Sequence, residues 1–367
     1  MSRFTPFAVI GIAVLAVACS EDSADLSPTS ADSTSTSTST VIATTSTEST
    51  TPSTGSATTT STRPQYLSAD ELTIESFPVP SGSRPHDVAP AANAGIWYTA
   101  QGSGELGWLA PATGETVHIP LGSGSRPHGV IVDDQGMPWI TDGGLNAIVS
   151  VDPETEEVTV FPLPDDHPNA NLNTAAFDGS GLLWFTGQDG VYGSLDPASG
   201  AMAVYEDPEG PGPYGITSTP SGSVFYASLA GSHIASIDDD GSATILEPPT
   251  PDQGARRVWS DSQGAIWVSE WNSGNLSRYT PETREWTTWQ LPGDNPAAYA
   301  VYVDEADIVW LSDFGANAMV RFDPVSQGFT SYPLPHDPGE VRQILGRPGE
   351  IWAGESAADH LVLIRTR

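Results

Sequence analysis

Short apolar segments alternate with polar, turn-forming segments along the chain from residue 72 onward. In one unit, segments 129–132, 138–142, 147–152 and 158–163 are each followed by Gly, Asn, Asp or Pro. These segments are rich in β-branched and aromatic residues, which is typical of strands, and no window has a sustained helical period. The pattern therefore predicts an all-β protein built from many short strands and turns.

The pattern repeats with a nearly constant period. A large aromatic residue opens the second strand of every unit, and successive aromatics are 42, 45, 41, 42, 43 and 42 residues apart: Trp97, Trp139, Trp184, Phe225, Trp267, Trp310 and Trp352. This period is typical of four-stranded propeller blades. The sequence thus predicts a seven-bladed β-propeller of four-stranded antiparallel blades over residues 72–367.

The two ends of the repeat region are predicted to pair with each other. The seventh unit stops after its third strand, at residues 360–367, whereas segment 72–80 precedes the first unit as a fourth strand without a blade. Pairing these two segments completes the last blade and removes an exposed sheet edge. The ring is therefore expected to close between the N-terminal strand and the last blade.

The first 71 residues resemble an export signal followed by a tether. Arg3 precedes an apolar run at 7–17, which is typical of a signal peptide and too short to span a bilayer. Residues 15–19, Leu-Ala-Val-Ala-Cys, resemble a bacterial lipobox, which predicts a lipoprotein signal peptide at 1–18 and lipidation of Cys19. The alternative is an ordinary signal peptide with a chance cysteine.

Residues 19–71 are rich in Ser, Thr, Ala and Pro, and such a segment cannot bury enough apolar surface to fold. We expect a disordered tether that holds the propeller outside the cytoplasm, anchored to the cell membrane by lipid.

Charge and composition exclude several classes of function. The net charge is −33, with 46 acidic residues against 13 basic ones, all of them arginine. Nucleic-acid binding needs a basic surface, so no nucleic-acid partner is expected. The absence of lysine excludes Schiff-base chemistry and the phosphate-binding lysine loop, and the single cysteine excludes a disulfide framework.

Two columns of residues are predicted to meet on one face of the propeller, because the first strand of a blade starts where the second strand ends. The first column, at the starts of the first strands, comprises His86, His128, Asn173, Tyr214, Arg256, Tyr299 and Arg342. The second column, at the ends of the second strands, comprises Ala100, Asp142, Gly187, Ser228, Glu270, Asp313 and Glu355. Nearly every member of the first column is polar or can form hydrogen bonds, which favours a site at the channel mouth.

Three consecutive blades carry the strongest candidate chemistry, counting blade seven as the neighbour of blade one. The relevant side chains are two imidazoles, three guanidiniums and three carboxylates: His86, His128, Arg84, Arg126, Arg342, Asp142, Glu340 and Glu355. Histidine transfers protons near neutral pH, and two or more carboxylates suit a hard cation such as Mg²⁺. The structural alternative is that the His and Arg residues cap strands and pair with acidic neighbours.

The repeated phrases carry a resemblance to a known family. Pro-His-Gly-Val at 127–130, Trp-Ile-Thr-Asp at 139–142, Asn-Ala-Ile-Val-Ser-Val-Asp-Pro at 146–153 and Phe-Pro-Leu-Pro at 161–164 resemble the blades of virginiamycin B (streptogramin) lyases. The resemblance extends over roughly residues 72–367. It implies a propeller that opens the ester ring of a cyclic depsipeptide antibiotic by elimination, with Mg²⁺ held by two Glu residues.

The resemblance also assigns roles to individual residues. It implies that His128 is the general base, that His86 binds substrate, and that Asp142 matches one of the two Glu residues linked to the metal. The other family Glu lies two residues before the base, where this chain has Arg126. Glu340 and Glu355 occupy the Glu positions of blade seven, but Arg342 stands in place of its base. The residues therefore leave metal dependence open.

Three functions remain open from the sequence. The first is a cell-surface carbon–oxygen lyase that uses His128, with Arg84 or Arg126 assisting a cation on Asp142. The second is a monomeric binding propeller whose mouth, lined by Tyr214, Arg256, Tyr299 and Arg342, holds an anionic or ring-bearing small molecule or peptide without transforming it. The third is a lactonase-like hydrolase, which the count of seven repeats disfavours because that related type has six blades.

Overall fold

The computed structural model describes residues 66–367, so the predicted signal peptide and Cys19, together with most of the predicted tether, lie outside the described residues. The described chain is made of strands and turns, and it has no helix long and apolar enough to cross a membrane. In chain order the strands are β1 (Ile74–Pro78), β2 (Pro85–Pro90), β3 (Ile96–Ala100), β4 (Glu105–Ala110), β5 (Glu115–Pro120), β6 (Pro127–Val132), β7 (Pro138–Asp142), β8 (Ala147–Val151), β9 (Val158–Pro162), β10 (Leu172–Phe177), β11 (Leu183–Gly187), β12 (Val191–Leu195), β13 (Met202–Glu206), β14 (Pro213–Ser218), β15 (Val224–Ser228), β16 (His233–Ile237), β17 (Ala243–Leu246), β18 (Ala255–Ser260), β19 (Ile266–Glu270), β20 (Asn275–Thr280), β21 (Glu285–Gln290), β22 (Ala298–Val303), β23 (Val309–Asp313), β24 (Ala318–Asp323), β25 (Gly328–Pro333), β26 (Val341–Arg347), β27 (Glu350–Glu355) and β28 (His360–Arg365).

The strands form seven antiparallel sheets of four strands each, which confirms the predicted seven-bladed propeller. Blade 1 is β2–β5, blade 2 is β6–β9, blade 3 is β10–β13, blade 4 is β14–β17, blade 5 is β18–β21 and blade 6 is β22–β25. Blade 7 combines β26–β28 with β1, which pairs antiparallel with β28, Ile74 lying opposite Ile364. The predicted closure of the ring is thus confirmed.

Apolar side chains pack between neighbouring blades. Between blades 1 and 2, for example, Trp97 and Leu106 belong to the same buried cluster as Ile140 and Val149. Burying one such side chain stabilises the fold by about 1.5–3 kcal/mol. Each first strand also packs against the first strands of its two neighbours, from β2 through β26 and back to β2, so these strands surround a central channel.

An aspartate in the turn between the first and second strands fixes the marker tryptophan. In blade 2, Asp133 accepts hydrogen bonds from the backbone N–H groups of Gln135 and Met137 and from Nε1 of Trp139, at 2.9–3.0 Å. Asp178, Asp261 and Asp304 accept the same tryptophan hydrogen bond in blades 3, 5 and 6. The recurrence explains why the sequence period shows an acidic turn before each of these aromatics.

Candidate functional site

The first-column residues line the central channel because each sits at an irregularity of the first strand. In every blade the pairing of the first two strands shifts register beside the first-column residue, as between Pro85 and Val88 and between Pro127 and Gly129. Such a bulge leaves a residue outside the ladder and re-aims its side chain. All seven first-column side chains are buried, so the mouth ring is a packed polar layer: His86, His128, Asn173, Tyr214, Arg256, Tyr299 and Arg342.

Hydroxyl groups on the second strands hold these bulges in place. Thr99 Oγ1 accepts a hydrogen bond from the backbone N–H of Asp87 at 2.9 Å and donates one to the backbone oxygen of His128, in the next blade, at 2.8 Å. Thr141 makes the same bridge from Gly129 to the carbonyl of Asn173. The hydroxyl bridge therefore connects the backbones of adjacent blades at the residues that carry the candidate chemistry.

His86 and His128 form a close imidazole pair. Their ring centroids are 3.8 Å apart, and both side chains are buried. His86 Nδ1 is 2.7 Å from Asp87 Oδ1, whereas His86 Nε2 and both nitrogens of His128 have no hydrogen-bond partner among the described residues. Burial lowers the pKa of both imidazoles well below the ordinary value. Nearby guanidinium groups lower the pKa of His86 further, and the neighbouring His86 lowers the pKa of His128 further. Both rings are therefore neutral at pH 7.

A second polar layer lies below the mouth ring and was not anticipated from the sequence. Arg257 Nη2, from blade 5, is 3.0 Å from Asp87 Oδ1, from blade 1, and both side chains are buried. Arg257 Nη1 also donates to Thr174 Oγ1 at 2.7 Å. A sequence signal for this ion pair did exist. At the positions that follow the first-column residues, one blade has an aspartate and one has an arginine, whereas the other five have Gly, Ala, Thr or Gln.

The opposite side of the mouth ring is an aromatic cage around Arg256. The Arg256 guanidinium carbon lies 3.6 Å from the ring centroid of Tyr299, 4.9 Å from that of Tyr214 and 4.6 Å from that of Trp271. The hydroxyl groups of Tyr214 and Tyr299 are hydrogen-bonded to each other. Phe314 stacks on Tyr299 at 4.8 Å, and both Trp271 and Phe314 are half-buried at the rim. The sequence predicts Tyr214, Arg256 and Tyr299 as parts of a ligand-binding mouth, and the rim aromatics Trp271 and Phe314 lie beside them.

The remaining arginines occupy the rim. Arg84 and Arg126 are exposed, each one residue before the proline that starts a first strand. Arg342 Nη2 pairs with Glu340 Oε2 at 3.0 Å, and its guanidinium lies 5.9 Å from the Tyr299 ring. Glu340 therefore neutralises the arginine beside it in the ring.

The second-column carboxylates serve the turns of their own blades. Asp142 is fully buried and accepts hydrogen bonds from the Ser125 hydroxyl and from the backbone N–H groups of Arg126, Gly144 and Leu145, at 2.5–2.9 Å. A carboxylate with this many donors is largely satisfied without a cation.

Glu355 is tied to the imidazole of His336. It accepts a hydrogen bond from the His336 backbone N–H at 3.2 Å and lies 2.7 Å from the His336 ring at Nδ1. Glu355 and Glu340 thus each have a basic partner of their own.

These contacts do not fit the Mg²⁺ site that the resemblance implies. Within residues 66–367, the group of potential metal-ligating side chains brought within 4.8 Å of one another is His86, Asp87 and His128, and it contains neither Asp142 nor Glu355. Two imidazoles and a carboxylate suit borderline metals better than Mg²⁺, and Asp87 is already paired with Arg257. In addition, Arg126 stands at the sequence position where the resemblance implies the second carboxylate.

Comparisons with known proteins agree with the fold. The profile of the virginiamycin B lyase family matches residues 118–367. A streptogramin B lyase structure is 21% identical with a TM-score of 0.74, and the match covers 81% of this chain and 98% of that one. The virginiamycin B lyase of Staphylococcus aureus is 19% identical with a TM-score of 0.75, covering 80% of this chain and 99% of that one. A catalytically inactive variant of the same enzyme, determined with quinupristin, gives 19% identity, a TM-score of 0.74 and the same coverage.

Propellers with other roles are similar as well. YCF48 bound to D1 peptide is 15% identical with a TM-score of 0.65, and the match covers 83% of this chain and 100% of that one. No curated protein matches the sequence. At these identities the structural likeness shows the fold alone.

Proposed function

Because the chain belongs to the virginiamycin B lyase family, we propose that it opens an ester ring of a cyclic depsipeptide by elimination, with His128 as the general base. The observation that carries the proposal is the buried pair of neutral imidazoles, 3.8 Å apart, in which three ring nitrogens have no partner among the described residues. A neutral imidazole can accept a proton at physiological pH, and enzymes use such groups for proton transfer.

The proposed reaction is a β-elimination. His128 takes a proton from the carbon next to a carbonyl group, and the electrons of that C–H bond form a carbon–carbon double bond. The adjacent carbon–oxygen bond of the ester breaks, and its electrons leave with the carboxylate. The product is a linear isomer of the substrate, and the proton on His128 returns to solvent.

His86 positions the substrate in this proposal. Its Nδ1 faces the Asp87 carboxylate, so Nδ1 carries the proton and Nε2 is left as an acceptor toward the channel. Negative charge that develops on the carbonyl and on the departing carboxylate is balanced by guanidinium groups, with Arg84 and Arg126 at the rim. No step uses a metal, because the carboxylates proposed to hold it are engaged elsewhere.

The test is to incubate the purified full-length chain with quinupristin and to follow the product by mass spectrometry. We expect an isomer of unchanged mass, whereas hydrolysis would add one water. His128→Ala should abolish turnover, and His167→Ala, in the loop between β9 and β10, is the matched control that should retain it. Full turnover by His128→Ala would exclude His128 as the base.

Turnover that is unaffected by EDTA is also expected, since the proposal needs no metal.

A second candidate function is ligand binding without turnover. It is favoured by the engagement of Asp142 and Glu355 in blade contacts, which leaves the metal chemistry of the family without its ligands. If quinupristin and related depsipeptides bind in calorimetry but are never converted, the binding function replaces the lyase.

We also propose that the protein is an extracytoplasmic, monomeric lipoprotein anchored through Cys19. The support is the lipobox-like sequence at 15–19 and the Ser/Thr-rich segment after it. Labelling with a palmitate analogue should modify the wild type and not Cys19→Ser, which should appear in the medium. Retention of Cys19→Ser in the membrane fraction would contradict the anchor, and light scattering tests the monomer.

A further inference from the structure

The mouth ring contains buried side-chain atoms that have no hydrogen-bond partner among the described residues. Buried side-chain atoms with no partner among the described residues include Asn173 Nδ2 and Arg256 Nε, together with ring nitrogens of His86 and His128. The orientation of the Asn173 amide is fixed because its Oδ1 accepts a hydrogen bond from Thr174 Oγ1 at 3.0 Å. Amide and guanidinium nitrogens only donate. A ligand that satisfies Asn173 and Arg256 must therefore offer acceptors.

Within the described chain, one buried arginine of the mouth ring lacks the carboxylate partner that its neighbours have. Arg257 is paired with Asp87 and Arg342 with Glu340, at 3.0 Å in both cases. Arg256 is 8% exposed and has no carboxylate partner within residues 66–367. The two imidazoles are neutral, since burial lowers the pKa of each. A buried cation needs a counter-charge, and a single negative charge balances this one.

Apolar surface lies directly beside the unbalanced cation. The Trp271 ring is 4.6 Å from the Arg256 guanidinium, and Trp271 and Phe314 contact each other edge to face at 5.3 Å. Both rings are half-buried and therefore offer apolar surface to a ligand bound beside Arg256. Aromatic rings prefer such edge-to-face or offset contacts with further aromatic groups.

We propose that the mouth ring binds a monoanionic carboxylate attached to an aromatic or apolar group. The carboxylate pairs with Arg256 and accepts hydrogen bonds from Asn173, while its apolar neighbour packs on Trp271 and Phe314. Such a carboxylate belongs to a small aromatic acid or to the free end of a peptide. This site goes beyond the proposed lyase, since the carboxylate binds there whether or not the chain performs an elimination.

Isothermal titration calorimetry of the full-length chain tests the site with N-acetylphenylalanine and with its amide, which lacks only the negative charge. The acid is expected to bind, with the amide at least about tenfold weaker. Inorganic phosphate and sulfate should also bind at least about tenfold more weakly, because they lack the apolar group. Equal binding of acid and amide, tighter binding of phosphate, or no binding of the acid at millimolar concentration would each overturn the proposal.

Variants locate the binding to the ring. Arg256→Gln should weaken binding of the acid at least about tenfold, and Asn173→Asp should do so by adding a negative charge beside the carboxylate. The matched control is Arg284→Gln, which changes an exposed arginine between β20 and β21 and should leave binding unchanged.

Circular dichroism tests whether each variant is folded, and Asn173→Asp remains informative if Arg256→Gln does not fold. Unchanged binding by a folded Arg256→Gln protein would remove the site. Binding of the acid is also measured in His128→Ala. Because that variant should lack turnover, its binding tests the carboxylate site independently of the proposed lyase activity.

Discussion

The Asp87 carboxylate and the Arg257 guanidinium meet across the central channel at 3.0 Å, joining blade 1 to blade 5 beneath the mouth ring. Asp87 also lies 2.7 Å from His86 Nδ1, so a single carboxylate connects the ion pair to the imidazole pair. Burial raises the pKa of Asp87, and the Arg257 guanidinium opposes that effect and favours the ionised form. The orientation of His86 therefore depends on a residue from the far side of the ring.

Removing one member of this ion pair should destabilise the propeller strongly. Asp87→Leu leaves the Arg257 guanidinium buried without its carboxylate, and we expect a loss of about 3–5 kcal/mol in the free energy of unfolding, measured by urea denaturation. The double variant Asp87→Leu/Arg257→Met should recover most of that loss, because no buried charge remains. A loss below about 1 kcal/mol for Asp87→Leu would contradict the structural role of the pair.

Stability should decrease when the pH falls below about 6.5. The folded pKa values of His86 and His128 are depressed, so the unfolded chain binds protons that the folded chain does not. The stabilisation is complete above the unfolded pKa and is lost as the pH falls toward the folded values, by up to about 1.4 kcal/mol per pH unit for each imidazole. Urea unfolding at about pH 7.5 and about pH 5.5 measures this. The double variant His86→Asn/His128→Asn should show a smaller slope, and an equal slope would contradict the prediction.

The hydroxyl bridge should contribute to both stability and the site. Thr99→Val keeps the shape of the side chain but leaves the Asp87 N–H and the His128 carbonyl without their partner, which should cost about 1–3 kcal/mol in urea unfolding. Thr159→Val, at an exposed position of β9, is the control and should change stability by less than about 0.5 kcal/mol. Thr99→Val should also lower the turnover or affinity that depends on His128, whereas equal stability of the two variants would argue against the bridge.

Arg256 is expected to serve binding rather than folding. Its desolvation is opposed by cation–π contacts worth about 2 kcal/mol, which is less than the several kcal/mol needed to bury an ion. Arg256→Met should therefore keep or raise the thermal unfolding midpoint while abolishing binding of N-acetylphenylalanine. A clear fall in the midpoint, relative to Arg284→Met, would assign Arg256 to the core instead.

The repeat architecture follows from the sequence because its determinants are local. The spacing of the marker aromatics, the acidic turns and the alternation of strand and turn residues are all read within one blade, and the incomplete last unit shows where the ring closes. The mouth ring also followed, because first strands in a propeller start on one face. These features depend on residues that are close in sequence. Trp139 and Asp133, for example, are only six residues apart and lie on either side of one turn, so their hydrogen bond is a local contact.

The pairings within the channel were decided only by the tertiary structure. Asp87 and Arg257 are 170 residues apart, and no periodicity shows that blades 1 and 5 place opposite charges at one depth. Asp142 was read from its position as a metal ligand, yet a carboxylate at the end of a strand can face the channel or accept hydrogen bonds from its own turn. The backbone N–H groups of Arg126, Gly144 and Leu145 reach Asp142 from a turn whose geometry the sequence does not specify. A side chain's partners depend on where folding brings distant donors, and that is set by the closed ring as a whole.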